Sequence, residues 1–164
     1  MMHKEVLLSY FPKITHKRYS QLLSVFSNLE NVWKANANDL QELKWKEELT
    51  NQFLTWRHSI DEEKISKILE QENISYVLLG DDNYPTNLKE IYDPPFCLFV
   101  RGELKPDNFS VSVVGPRKFS PYGKQVTHEI VTELANQGVT IISGLALGID
   151  SLAHQATLDV GGKT

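Results

Sequence analysis

Up to about Asn73 the apolar residues recur at intervals of three and four. Leu22, Leu23, Phe26 and Leu29 fall at helical spacing, as do Leu40, Leu43 and Leu49 with Trp33 and Trp45 among them. Acidic residues cluster behind Ser59, which predicts a helix over residues 61–72, capped by Ser59 or Asp61, with Ile65, Ile68 and Leu69 on one face. From Ile74 the vocabulary changes. ISYVLLG is a short β-rich run stopped by Gly80, DDNYP is a turn cluster ending in Pro85, and Pro94-Pro95 precede the strand-like CLFVRG. The pattern predicts a helical domain over residues 1–73 and an α/β domain over 74–164, with no internal repeat and no low-complexity tract.

Residues 111–154 carry the clearest pattern. An apolar strand over 111–115 ends in Gly115, a polar loop holds Arg117 and Ser120, and an amphipathic helix follows over about 121–137. A second apolar strand over 139–142, a loop over 143–148 with two glycines, and a helix over about 149–160 complete a βαβα unit. Such a unit places both loops on one edge of a parallel sheet, where open α/β sheets bind their ligands. After Gly161-Gly162 a third strand should begin. Two core strands, even with the two strands before them, are few for a doubly wound sheet. Either the four form an unusual small sheet or, the favoured expectation, this is the first part of a Rossmann-like parallel sheet, incomplete at its C-terminus, in a longer protein.

Composition narrows the classes. The 164 residues suffice for one ordinary domain or two small ones, and 41% apolar residues suffice for a packed core. No apolar run approaches the length of a spanning helix, and the start MMHKEVLLSYFPK has no small-residue cleavage site. Cys97, the sole cysteine, lies in the apolar run CLFV and reads as a buried inert thiol, which fits a reducing cytoplasm. A net charge of −4 argues against a basic coat for nucleic acid, but Arg117, Lys118 and Lys124 give the first loop a local positive field.

The loops supply the candidate chemistry. Gly115 permits a sharp turn and a close ligand approach, Arg117 can fork onto phosphate oxygens, and the following helix start offers unpaired N–H groups. Ser120 reads first as a helix cap ahead of Pro121, and second as an anion contact. The dinucleotide pattern G-x-G-x-x-G is absent, and Gly162-Lys163-Thr164 copies only the end of a Walker loop, after a helix rather than before one. Asp150 and His154 can share a helix face as an acid–base pair. The simpler reading is that Asp150 caps its helix while His154 makes a buried structural hydrogen bond. The histidines have no metal-ligand spacing, so neither metal nor cofactor is expected. The run His16-Lys17-Arg18 with Tyr19 reads as a solvated helix face.

At these residues the chain resembles the DNA-processing protein A family (DprA, also called Smf). The family pattern of V-G-S-R, S-x-Y-G, S-G-x-A-x-G-I-D-x-x-A-H and G-G-x-T is met by Val114-Gly115-Pro116-Arg117, Ser120-Pro121-Tyr122-Gly123, Ser143 to Asp150, Ala153-His154 and Gly161 to Thr164. Upstream, Asn83-Tyr84-Pro85, Leu88, Asp93-Pro94-Pro95 and Leu98 to Gly102 also match. The resemblance implies a non-enzymatic protein that binds and protects incoming single-stranded DNA and loads RecA during natural transformation or recombination, as a homodimer when full length. Carried over residue by residue, it makes Gly115, Arg117 and Ser120 one wall of a phosphate site, Ser143, Gly144 and Ala146 the neighbouring loop, and Lys163 a basic contact from the next strand. Pro116 stands where the family has serine, and Phe11 to His16 lack the glycine of a helix-hairpin-helix, which marks that N-terminal motif as degenerate. The alternative is a nucleotide-processing enzyme of phosphoribohydrolase type on a related sheet.

Overall fold

In the computed structural model, which describes residues 2–104 and 109–164, short polar side chains decide where several helices begin. Helices α1 (Lys4–Ser9), α2 (His16–Phe26) and α3 (Leu29–Lys34) are followed by a 3-10 turn (Asp39–Leu43), α4 (Glu47–Ser59) and α5 (Glu62–Gln71). Thr15, Asn28 and Asp61 accept hydrogen bonds from the N–H groups of Arg18 (3.2 Å), Asn31 (2.9 Å) and Lys64 (2.9 Å), donors that the helix itself leaves unpaired. Of the two candidate caps near residue 60, Asp61 takes the role and Ser59 ends α4. The run from Leu22 to Leu29 is two helices, because Ser27 adopts φ 65° and Asn28 starts a new one. On α5 the buried pair is Ile65 and Leu69, while Ile68 is exposed, so its apolar stripe is narrower than the sequence suggests.

Leu8, Phe11, Leu22, Val32, Leu40 and Phe53 form the main core of these helices. Phe11 meets Phe53 edge-on at 5.3 Å, and Tyr19 stacks on Phe96 at 4.3 Å. Arg57 donates to the carbonyls of Val32 (2.5 Å) and Ala35 (2.7 Å), ending α3 with a guanidinium whose pKa burial lowers. Strand β1 (Ile74–Leu78), the short helix α6 (Thr86–Lys89) and strand β2 (Cys97–Arg101) follow. β1 and β2 pair antiparallel, with Tyr76 opposite Phe99. Ile74, Tyr76, Leu78 and Cys97 pack on Val6, Leu7, Ile65 and Leu69 of α1 and α5. By packing, these strands therefore join the helices, and the compact units are Met1–Pro106 and Asp107–Thr164, a later division than the change of pattern at Asn73. Burial pushes the Cys97 thiol up to about 12, with Glu5 adding to the rise, so it stays protonated and unreactive.

The second unit contains β3 (Ser110–Ser112), α7 (Pro121–Asn136), β4 (Thr140–Ile142) and α8 (Ile149–Asp159). β3 and β4 are parallel, Val111 opposite Ile141, and Val113 extends the ladder by donating to the Ile142 carbonyl at 2.9 Å. Val131, Val139, Ile141, Ala153 and Ala156 bury the helices against the sheet, with Val111, Val113 and Leu134 beside them. On the other side of β4, the Ile141 N–H donates to the Lys163 carbonyl (2.9 Å) and the Thr164 hydroxyl donates to the Ile141 carbonyl (2.8 Å). Residues 163–164 thus lie where a third strand is expected. The unit is Rossmann-like, with each strand laid beside its predecessor. β1 and β2 do not extend it, since the described residues form two separate two-stranded sheets. Among the described residues no helix is long and apolar enough to cross a membrane.

Candidate functional site

Both strand-to-helix loops of the second unit open at one edge and touch there. Gly148 (φ 105°) has no space for a side chain, because a Cβ would lie 2.4 Å from the Pro116 carbonyl oxygen and 2.6 Å from Arg117 Cα. The Ile149 N–H donates to that same Pro116 carbonyl at 3.3 Å, so the first loop supplies a partner for a first-turn N–H of α8. A Cβ on Gly115 would lie 2.7 Å from the Ile149 side chain. Glycine at 115 is thus required by the approach of α8, where the sequence suggested room for a ligand.

Arg117 is exposed, and among the described residues Arg117, Lys118 and Phe119 have no hydrogen bond or ion pair. Lys118 and Lys124 are exposed as well. The loop therefore offers a free guanidinium, free backbone N–H groups and the positive end of α7. Ser120 caps α7 by accepting from the Gly123 N–H at 3.1 Å, while its own O–H finds no acceptor among the described residues. The cap leaves that proton available to a ligand.

Much of the second loop's polarity is spent internally. Ser143 Oγ donates to the Val113 carbonyl at 2.7 Å, tying the end of β4 to β3. Asp150, only 7% exposed, does not cap α8. Its carboxylate turns back and accepts from the Gly144 N–H at 3.1 Å. This corrects the expected cap and engages the N–H of Gly144, a residue that the resemblance places in the phosphate site's second loop. The Ala146 carbonyl accepts from both the N–H (3.1 Å) and the Oγ (2.6 Å) of Ser151. His154 Nδ1 lies 2.6 Å from the Thr164 hydroxyl, an exposed bond where a buried one is expected, while the buried Nε2 has no partner among the described residues. Asp150 bonds the Gly144 N–H and His154 bonds Thr164 through Nδ1, so the two do not bond each other among the described residues.

The structure gathers Gly115, Arg117, Ser120, Ser143, Gly144 and Ala146 at the two loops. Lys163 stands apart from them, level with Ile141, its side chain exposed. Sequence reasoning missed the contact between Gly148 and Pro116 and the exposed Leu145 and Leu147. The glycine was visible, but nothing local indicates which backbone it meets. In the first unit, His16 Nδ1 lies 2.9 Å from the Pro94 carbonyl, distant in sequence, and Arg18 turns back on the nearby Lys13 carbonyl, so bonds within the unit occupy two members of that basic run. Among the described residues no cluster of three His, Cys, Asp or Glu side chains is placed to hold a metal.

Comparison with known proteins gives a consistent result. The profile of the DNA recombination-mediator protein A family matches residues 75–164. The DNA processing protein DprA of Bacillus subtilis is 38% identical over 96 residues, covering 57% of this chain and 32% of that protein. Its counterpart in Streptococcus pneumoniae is 42% identical over 113 residues, covering 68% and 39%. The X-ray structure of the Streptococcus pneumoniae protein superposes with a TM-score of 0.71 at 31% identity, covering 100% of this chain and 56% of that one. The chain thus spans 32% to 39% of the length of these curated relatives.

Proposed function

The chain belongs to the DNA recombination-mediator protein A family, and from that premise we propose that its loop edge binds the phosphate backbone of single-stranded DNA without reading its sequence. One observation carries the proposal. The first loop is locked against the second at Gly148 and Ile149, yet Arg117 and the neighbouring backbone N–H groups have no partner among the described residues. A fixed frame holding an unpaired guanidinium beside a helix start is matched to an anionic oxygen. Gly115 and Gly144 shape that frame, Ser120 adds a free O–H, and Ser143 and Ala146 hold the second loop in place. The family resemblance adds Lys163, exposed beside β4, as a further basic contact.

The role is that of a binding protein. The family resemblance extends it to protection of incoming DNA and loading of RecA in the cytoplasm, by a full-length homodimer. Arg117→Ala and Lys163→Ala should each weaken binding of full-length protein to oligo-dT, and each should flatten the salt dependence of log K by about 0.7, one counterion per lost phosphate contact. Titrations over a range of salt measure this, and an unchanged slope in both variants removes the site assignment. Incubation with nucleoside monophosphates tests the enzyme alternative, because release of free base would overturn the proposal.

A further inference from the structure

The two nitrogens of the His154 ring on α8 are used unequally. Nδ1 lies 2.6 Å from the Thr164 hydroxyl, while Nε2 is buried without a partner among the described residues. The Thr164 hydroxyl in turn donates to the Ile141 carbonyl at 2.8 Å. A carbonyl can only accept, so the single hydroxyl proton is committed to it, and the hydroxyl oxygen accepts from His154. These bonds fix the tautomer, with the proton on Nδ1. A proton on Nε2 instead would bury an unpaired N–H and leave Nδ1 facing an oxygen with no proton to give. The result is a relay from α8 through the Thr164 side chain to β4.

The relay closes around Lys163. On one side of it, the Gly162 N–H donates to the Thr157 carbonyl at 2.9 Å, and a Cβ on Gly162 would lie 2.8 Å from Ala135 Cβ. The Lys163 carbonyl itself accepts from the Ile141 N–H at 2.9 Å. On the other side, Thr164 is held by His154 and Ile141. Three consecutive residues are thus anchored, yet the Lys163 side chain is exposed, with no hydrogen bond or ion pair among the described residues. A flexible ammonium stem binds an anion at lower entropic cost when its backbone is already ordered. Resting on the phosphate-backbone reading above, we propose that His154 is a positioning residue for Lys163. In its Nδ1–H tautomer it acts through Thr164 to hold residues 162–164 on β4, where Lys163 meets a phosphate. His154 itself does not touch the DNA.

The test uses full-length protein and oligo-dT. His154→Leu and Thr164→Val break the relay, whereas His154→Asn keeps an N–H near the place of Nδ1 and Thr164→Ser keeps the hydroxyl. Thr164 is exposed, so Thr164→Val reads the relay even if His154→Leu fails to fold. Each breaking variant should weaken binding and flatten the salt dependence of log K by about 0.7, as Lys163→Ala does. Combined with Lys163→Ala it should add nothing further, because both act through one contact. The two conservative variants should bind like the parent. Nitrogen NMR of the parent should show Nδ1 protonated and Nε2 bare. The positioning role is overturned if Thr164→Val binds like the parent, if its loss adds in full to that of Lys163→Ala, or if the ring carries its proton on Nε2. Weaker binding with an unchanged salt slope also overturns it, since that makes the relay a matter of stability alone. If Lys163→Ala has no effect while Arg117→Ala weakens binding, the reading of the loops stands and the role of His154 falls. If neither has an effect, the phosphate reading falls and the positioning role with it.

Discussion

At Gly148 the chain allows no side chain at all, since the positive φ and the 2.4 Å approach to the Pro116 carbonyl both exclude a Cβ. Gly148→Ala should cost about 1–3 kcal/mol or more, read as a lower urea midpoint, and should weaken oligo-dT binding because Arg117 shifts with its backbone. Glu62 presents a milder case. Its carboxylate accepts from the Met2 N–H at 2.7 Å and pairs with Lys4 at 3.5 Å. The Met2 hydrogen bond, with Lys4 assisting, holds its pKa below the ordinary carboxylate value. A depressed folded-state pKa stabilises the protein above the unfolded-state pKa, and that stability is lost as pH falls through the folded value. Acidification below the usual carboxylate range should therefore loosen the anchoring of the N-terminal segment on α5. Amide exchange of residues 2–6 measured against pH checks this, and Glu62→Gln should remove the dependence. The Glu62 side chain is 36% exposed, so water screens the pair and the effect on overall stability should be small.

Among the elements, what the sequence revealed was what depends on neighbours along the chain. Asp61 and Ser120 sit directly before the helices they cap, and the alternation of strand and helix after Ser110 follows from the period of apolar residues. The break at Ser27 was hidden, because the apolar spacing continues across it from Leu22 to Leu29. The strands β1 and β2 showed their β character but not their partners, since their packing on α1 and α5 depends on residues distant in sequence. At the site the residue types were legible and several of their duties were not. Gly115 is needed because Ile149 arrives from the far end of the unit, and Asp150 reaches back to Gly144 instead of forward along its own helix. A pattern of letters shows that a carboxylate stands near a helix start. The closure of the loop decides which N–H it meets.

For the whole molecule, the two compact units carry separate cores, and all three tryptophans (Trp33, Trp45 and Trp56) belong to the first. Phe53 is fully buried there and touches Trp45 and Trp56 with ring centroids 5.8 Å and 5.6 Å away. Phe53→Ala should cost about 3–5 kcal/mol, seen as a lower denaturant midpoint by tryptophan fluorescence, which reports on that unit. The net charge of −4 and the cationic first loop also coexist at this scale, so the polyanion site proposed above would depend on local geometry more than on total charge. That geometry is supplied by α8, whose first residues bear on the backbone that presents Arg117, while Ala153 and Ala156 set how closely the helix lies on the sheet. The two alanines act as spacers, the contact at Gly148 as a fulcrum, and the arginine as the far end of a lever. A larger side chain at either alanine should therefore move, from the interior, the backbone that carries Arg117, without touching the proposed site.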